Sequence, residues 1–197
     1  MHRFSYETVD PTFSNARAIQ RLTLSSLIGE VSKPDTIANP GSLRYVNRQR
    51  MELAQAPDRF IGAFQKGKLM AFMELGEWDI DHELPYSVPN EALVLAGYKE
   101  QGYVHTPERK LGIFGLASSI ELSKDETEEA VGNLLYHATD MALNYDHPAI
   151  NVDFYENDPL RRIAMDQGFQ FTGRLHDPMR ASGVVKRLYT KPLDIED

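Results

Sequence analysis

The sequence contains no cysteine. Disulfides, thiolate catalysis and cysteine-ligated metals are therefore excluded. It has a single tryptophan, Trp78, and no apolar run approaching the roughly 18 residues of a membrane-spanning helix. The opening MHRFSYETVD lacks the apolar core of an export signal, so the expected compartment is cytoplasmic and no membrane partner is expected. Positive charge is scarce: 21 basic side chains stand against 29 acidic ones, a formal net charge of -8. Phosphate contacts need clustered Lys and Arg, so a nucleic-acid surface is not expected. The local group Arg44, Arg48 and Arg50 reads as a solvated helix face. His82 and His105 are separated by too much irregular chain to make a metal pair, and no metal site is expected.

What is present suits one globular domain. The 197 residues are 42% hydrophobic, enough for a real core and short for two. From Lys110 the chain reads KLGIFGLASSIEL, SKDETEEAVGNLLYHATDMALNYD, HPAINVDFYEN and DPLRRIAMDQGF. The first piece is an apolar strand from Leu111 to Leu122. The second carries Ala130, Val131, Leu134, Leu135, Ala138, Met141 and Ala142 at helical spacing, a single apolar stripe. In the third, Ile150, Val152 and Phe154 alternate with Asn151, Asp153 and Tyr155, the period of a strand. The fourth is a short helix stopped by Gly168. A right-handed crossover would set the two strands side by side and parallel.

Around this block, Phe4 to Val9 predicts an edge strand, and Asn15 to Glu30 and Leu43 to Ala56 predict two helices, the first capped by Ser14 or Asn15. Arg59 to Gln65 and Lys68 to Asp79 flank Lys66-Gly67, a hairpin turn. Residues 80 to 108, with three prolines, form a surface insert. Gln170 to His176 and Val184 to Thr190 close the chain as an antiparallel pair. The sum is a mixed central sheet of about seven strands with helices on both faces.

The element order and local motifs resemble the GNAT superfamily of N-acetyltransferases, over essentially the whole chain. That family's phosphate-binding turn, [Gln/Arg]-x-x-Gly-x-[Gly/Ala], lines up with Thr127, Glu128, Glu129, Ala130, Val131 and Gly132. Its Asn-x-x-Ala-x-x-x-Tyr-x-x-x-Gly-Phe run lines up with Asn157, Leu160, Ala164, Gly168 and Phe169. Thr127 and Ala130 depart from the turn, and Ala164 stands where many members place the tyrosine that protonates the departing thiolate. The resemblance implies acetyl-CoA as co-substrate and direct transfer to a primary amine of a small molecule or peptide. It places the pantetheine along the main chain of Ile120 and Leu122, the pyrophosphate at 127 to 132, and Asn157 beside the cofactor. A homodimer is left open.

Amine acylation needs a group to take a proton, and Glu121, Glu74 and Glu77 are the carboxylates in position on the predicted strands. Tyr155 and Tyr98 are the candidate substitute acids, and restoring the family tyrosine as Ala164→Tyr is expected to raise kcat if the short helix has room. His137, beside the apolar stripe, reads as packed. At 127 to 132, helix-start amides suit a pyrophosphate. Four acids crowd the same place, and Asp125 with Glu128 or Ser123 with Glu126 could form a capping box. Two other readings therefore stay open: a non-catalytic CoA or acyl-CoA binding module that has lost its acid, and an interaction domain whose capped helix binds no phosphate.

Overall fold

The computed structural model describes residues 3–30, 40–78, 110–155, 158–176 and 185–193. The elements are β1 (Ser5–Thr8), α1 (Phe13–Glu30), α2 (Pro40–Gln55), a 3-10 turn (Pro57–Arg59), β2 (Phe60–Gln65) and β3 (Lys68–Trp78). They continue with β4 (Lys110–Ser118), α3 (Lys124–Asn144), β5 (Ala149–Tyr155), α4 (Leu160–Asp166), β6 (Gln170–His176) and β7 (Val185–Pro192). The strands form one seven-stranded sheet in the order β1-β2-β3-β4-β5-β7-β6. β4 and β5 are parallel, with Leu111 opposite Ile150 and Ile113 opposite Val152, as the predicted crossover requires. The insert expected at 80 to 108 lies outside the described residues.

The chain divides into two compact units, Met1–Leu75 with Phe114–His137, and Gly76–Ile113 with Ala138–Asp197. In the first, β1, β2 and β3 form an antiparallel meander. Its hairpin turns where expected, with φ of 51° at Lys66 and 74° at Gly67, the doubly left-handed turn that matches strand twist. Phe60, Phe64 and Phe72 pack with Ile19 and Leu22 of α1 and Leu53 of α2. Each such side chain contributes about 1.5–3 kcal/mol by leaving water. Tyr6 serves the opposite face, where its hydroxyl donates to the Glu129 carbonyl of α3 at 3.3 Å and accepts from Asn133 Nδ2 at 2.9 Å. The α1 cap is Thr12, whose hydroxyl accepts the Asn15 amide at 3.2 Å, and so lies upstream of Ser14 and Asn15.

In the second unit, β5, β7 and β6 pair antiparallel. Tyr189 meets Phe154 and Phe171 edge-on, both at 5.8 Å. A buried polar ladder runs beside them: Thr190 donates to Asn151 at 2.8 Å, and the Thr172 and Thr190 hydroxyls lie 2.9 Å apart. Asp158 starts α4 by accepting the Leu160 amide at 2.8 Å. The helix ends in a Schellman motif: the Gly168 amide donates to the Met165 carbonyl, and the Phe169 amide donates to that of Ala164.

Gly168 has φ of +90°, and no neighbouring atom crowds an added Cβ closer than 3.8 Å. Gly168→Ala is therefore expected to cost backbone strain alone, about 1–2 kcal/mol. Urea unfolding should show a lower midpoint at an unchanged slope.

Candidate functional site

Glu74 stands on β3 opposite Phe60, on the face that α1 and α2 cover, and its side chain is 0% exposed. Four groups surround it, and a fifth orients one of them. From α2, Gln49 Nε2 donates to Glu74 Oε2 at 3.2 Å, and Arg48 Nη2 approaches Oε1 at 3.6 Å. From the 3-10 turn, Arg59 Nη2 lies 3.8 Å from Oε1. Glu52, one helical turn beyond Arg48, holds the same two guanidiniums, at 3.6 Å from Arg48 Nε and 3.0 Å from Arg59 Nη1. Thr23 of α1 locks Gln49 by donating to its carbonyl oxygen at 2.8 Å. Arg59 also donates to the Leu75 carbonyl at 2.7 Å and lies over the Phe114 ring.

A glycine makes this arrangement possible. A Cβ on Gly115 of β4 would lie 2.6 Å from Gln49 Nε2 and 3.4 Å from Glu74, so any larger residue would push the amide away from the carboxyl. Despite two nearby cations, Glu74 Oε1 accepts no aligned hydrogen bond. Burial pushes the Glu74 carboxyl up to about 7. Arg48 opposes that shift, the Glu52 carboxyl reinforces it, and the Gln49 hydrogen bond opposes it more weakly.

Spacing alone did not reveal Gln49, Glu52, Arg59 or Gly115. The signal was present in part, since Arg48 and Glu52 are four apart on one helix. The Arg48 side chain is 40% exposed, yet its guanidinium reaches the buried carboxyl. The expected faces of α2 cannot be inferred from charge when the sheet beneath carries its own buried charge.

The other candidates require corrections of placement. β4 ends at Ser118, so Ile120, Glu121 and Leu122 lie in the turn beyond it and not on the strand. Ile120 is 83% exposed. The Leu122 amide donates to the Ser119 carbonyl at 3.2 Å and the Glu121 amide to the Ser119 hydroxyl at 3.2 Å, so the turn uses those amides itself. The Glu121 carboxylate is bound by Lys68, whose ammonium holds it below the usual carboxylate range.

α3 begins at Lys124, earlier than the phosphate-turn expectation requires. Residues 127 to 132 are thus helix interior, and their amides bond within the helix, as Thr127 does to the Ser123 carbonyl at 2.9 Å. Ala130 and Val131 are fully buried and Gly132 is buried with them. Glu128 pairs with Lys124 at 3.7 Å and Glu129 with Arg3 at 3.8 Å. The physical cause is the Ser123–Glu126 capping box. Ser123 donates to Glu126 Oε2 from its amide at 3.0 Å and its hydroxyl at 2.8 Å, and the Glu126 amide donates back to the hydroxyl at 3.3 Å. These bonds, and a longer one from Gln65, hold the Glu126 carboxyl below its ordinary value.

In the second unit Tyr155 ends β5 opposite Lys186, whose ammonium lies 5.3 Å from the ring centroid and also binds Asp153 at 2.9 Å. Ala164 is 0% exposed within α4. His137 packs against Tyr6 at 5.4 Å, as read from the helix stripe. Asn157, Tyr98, His82 and His105, and the side chains of Glu77 and Trp78, lie outside the described part. Among the described residues no group of His, Asp and Glu is placed to hold a metal ion, and no helix is long and apolar enough to cross a membrane.

No family model and no curated protein matches the sequence. Solved structures match along nearly its full length. One chain of the NatC complex bound to Gag peptide and CoA superposes with a TM-score of 0.60 at 14% identity, covering 98% of this chain and 100% of that one. The PaiA N-acetyltransferase of Thermoplasma acidophilum, in complex with coenzyme A, gives 0.63 at 11% identity over 98% and 100%. The polyamine N-acetyltransferase of Drosophila melanogaster, which forms N-acetylagmatine, gives 0.64 at 13% over 96% and 100%. Such identities establish the fold: the chain has the mixed α/β architecture of the GNAT acyl-CoA N-acetyltransferases.

Glu74 supplies a pH test. Its folded value, about 7, lies above its ordinary 4.5. Its contribution to stability is therefore fully present below pH 4.5 and is lost as the pH rises through about 7. Glu74→Gln resembles the protonated form at every pH. From about pH 5 to pH 8 the variant should gain on the native protein by on the order of 3 kcal/mol. Urea unfolding across that range checks this; parallel stability curves would refute it.

Proposed function

We propose that the chain is an acyl-CoA-dependent N-acyltransferase that moves an acetyl group from acetyl-CoA directly to a primary amine of a small molecule or peptide. The observation that carries the reading is Glu74: a buried carboxyl poised near neutrality on the central sheet of an N-acetyltransferase fold. A base with that affinity can hold a proton taken from an ammonium and release it again at neutral pH. Glu121, exposed and committed to Lys68, suits the role less. Tyr155, at the end of β5 opposite Lys186, is our choice for returning a proton to the leaving thiolate. The CoA-bound and polyamine-acetylating neighbours support an amine acceptor.

The α3 start supports a weaker grip on the co-substrate than the motif implied. Amides 127 to 132 are spent within the helix, and the Glu126 carboxylate occupies the donors at Ser123. A pyrophosphate meeting this end must displace a carboxylate and approach Asp125, Glu128 and Glu129. That same observation favours the rival, a CoA-binding module without turnover.

Calorimetry with acetyl-CoA is expected to show binding, and Glu126→Ala should tighten it, most clearly at low salt. Release of free thiol across a panel of polyamine, aminoglycoside and peptide amines should be slow, and Glu74→Gln should lower it by about 10²–10⁴-fold. Binding without transfer would move the conclusion to the binding module, and no binding at millimolar ligand would leave an interaction domain. Restoring the family tyrosine is not a rescue. Ala164 has no exposed surface, so Ala164→Tyr overpacks α4 and should cost about 1–3 kcal/mol of stability, read as a lower unfolding midpoint.

A further inference from the structure

Among the described residues, two buried carboxylate oxygens are left without an aligned donor, Glu74 Oε1 and Glu52 Oε2. They belong to side chains that share both of their cations. Arg48 reaches Glu52 through Nε and Glu74 through Nη2, each at 3.6 Å. Arg59 reaches Glu52 through Nη1 at 3.0 Å and Glu74 through Nη2 at 3.8 Å. The two guanidiniums thus bracket the two carboxyls; the 3.0 Å contact of Arg59 Nη1 falls on Glu52 Oε2 itself, as an ion pair off the axis of a hydrogen bond. A buried acceptor in that state carries a desolvation cost, and a single hydrogen placed between the orphans would satisfy both. The two side chains differ in one respect: Glu74 is 0% exposed, whereas Glu52 is 23% exposed.

We infer that Glu52 is the proton-exchange partner of Glu74: the carboxyls share one proton between Glu74 Oε1 and Glu52 Oε2, and Glu52 hands it on to solvent. The catalytic meaning rests on the proposed acyl transfer. A proton leaving the acceptor ammonium goes to the Glu74 carboxylate, passes to Glu52 and ends on water; the amine keeps its electron pair, and nothing is oxidised or reduced. Glu52 acts through Glu74 and is a positioning residue.

Among the described residues, the charged groups facing the pair are Arg48 on α2 and Arg59 on the 3-10 turn. Gln49, held by Thr23 of α1, is the neutral donor to the other Glu74 oxygen, and Gly115 of β4 adds no side chain. Gln49 fixes which Glu74 oxygen is left for the shared proton. The raised affinity of Glu74 for its proton, to which Glu52 contributes, agrees with the geometry.

The test is a carboxyl NMR titration of the full-length chain with carbon-13 glutamate, assigned with Glu74→Gln. The native pair should titrate in two coupled steps. In Glu52→Gln the Glu74 midpoint should fall by about one pH unit or more, because a neighbouring negative charge is removed and the pair interacts by at least that much. Glu52→Asp, which keeps the charge but withdraws the oxygen, should lower the Glu74 midpoint by less than the glutamine variant does, and serves if that variant does not fold. A Glu74 midpoint unmoved in both variants overturns the inference, even if they are less stable. Where transfer is measurable, the acid limb of the kcat/KM profile should shift with the Glu74 midpoint while the KM for acetyl-CoA holds. Coupled titration in a protein that transfers to no amine would support the shared proton and overturn its catalytic use.

Discussion

A carboxyl group with no exposed surface must be hydrogen-bonded, neutralised or both, and Glu74 sets that demand at the centre of the first unit. Much of the local chain is arranged to meet it. α2 supplies Arg48, Gln49 and Glu52 on consecutive turns, and α1 supplies Thr23 to orient the Gln49 amide. The turn after Pro57 ends in Arg59, which ties Glu52, Glu74 and the Leu75 carbonyl together. β4 contributes an absence, the missing Cβ of Gly115. The apolar cluster of Phe60, Phe72, Leu22 and Leu53 beside it supplies the packing energy, but apolar contacts alone do not fix the orientation of α2. The Gln49 hydrogen bond to the buried carboxyl is the directional contact from α2.

The start of α3 shows the opposite case, a set of donors satisfied too well. A helix N-terminus attracts anions because its first amides lack partners. An external phosphate and an internal carboxylate compete for the same amides, and here the internal one is three residues away on the same helix. Ser123 and Glu126 close the box, the helix extends back to Lys124, and the motif aligned for a ligand becomes helix interior, buried from Ala130 to Gly132. Proximity gives the internal carboxylate the advantage, since it loses little freedom on binding.

Hydrophobic period and turn chemistry made the architecture legible: the hairpin at Lys66-Gly67, the parallel pair and the α3 stripe all depend on local pattern. The element ends were less legible, because they depend on competing hydrogen bonds. β4 stops at Ser118 because Ser119 takes up the following amides in a turn, although Ile120 and Leu122 continue an apolar alternation. In the candidate site, Glu74 was visible as a carboxylate on a strand. Its partners were not, because a long-range cluster joining a helix, a turn and a glycine on another strand leaves no periodic trace. The Ser123–Glu126 box was visible as a spacing, yet only the bonds decide between it and a phosphate.

The motif that carried the resemblance furthest, Gly168-Phe169, is mechanical. Gly168 takes a left-handed conformation that ends α4, and Phe169 fills the core at 2% exposure; neither needs a cofactor. Such residues hold the fold together and say little about chemistry. Glu74 is different. Replacing a buried ion pair by apolar residues of similar volume is often neutral or stabilising, so packing alone gives no reason for a glutamate there. The same position could hold methionine or leucine against Phe60 and Phe72, with Arg48 and Arg59 left to solvent. A buried carboxyl that weakens the fold as the pH rises through neutrality is a cost to stability, and proton transfer at neutral pH is the property that such a group offers in return.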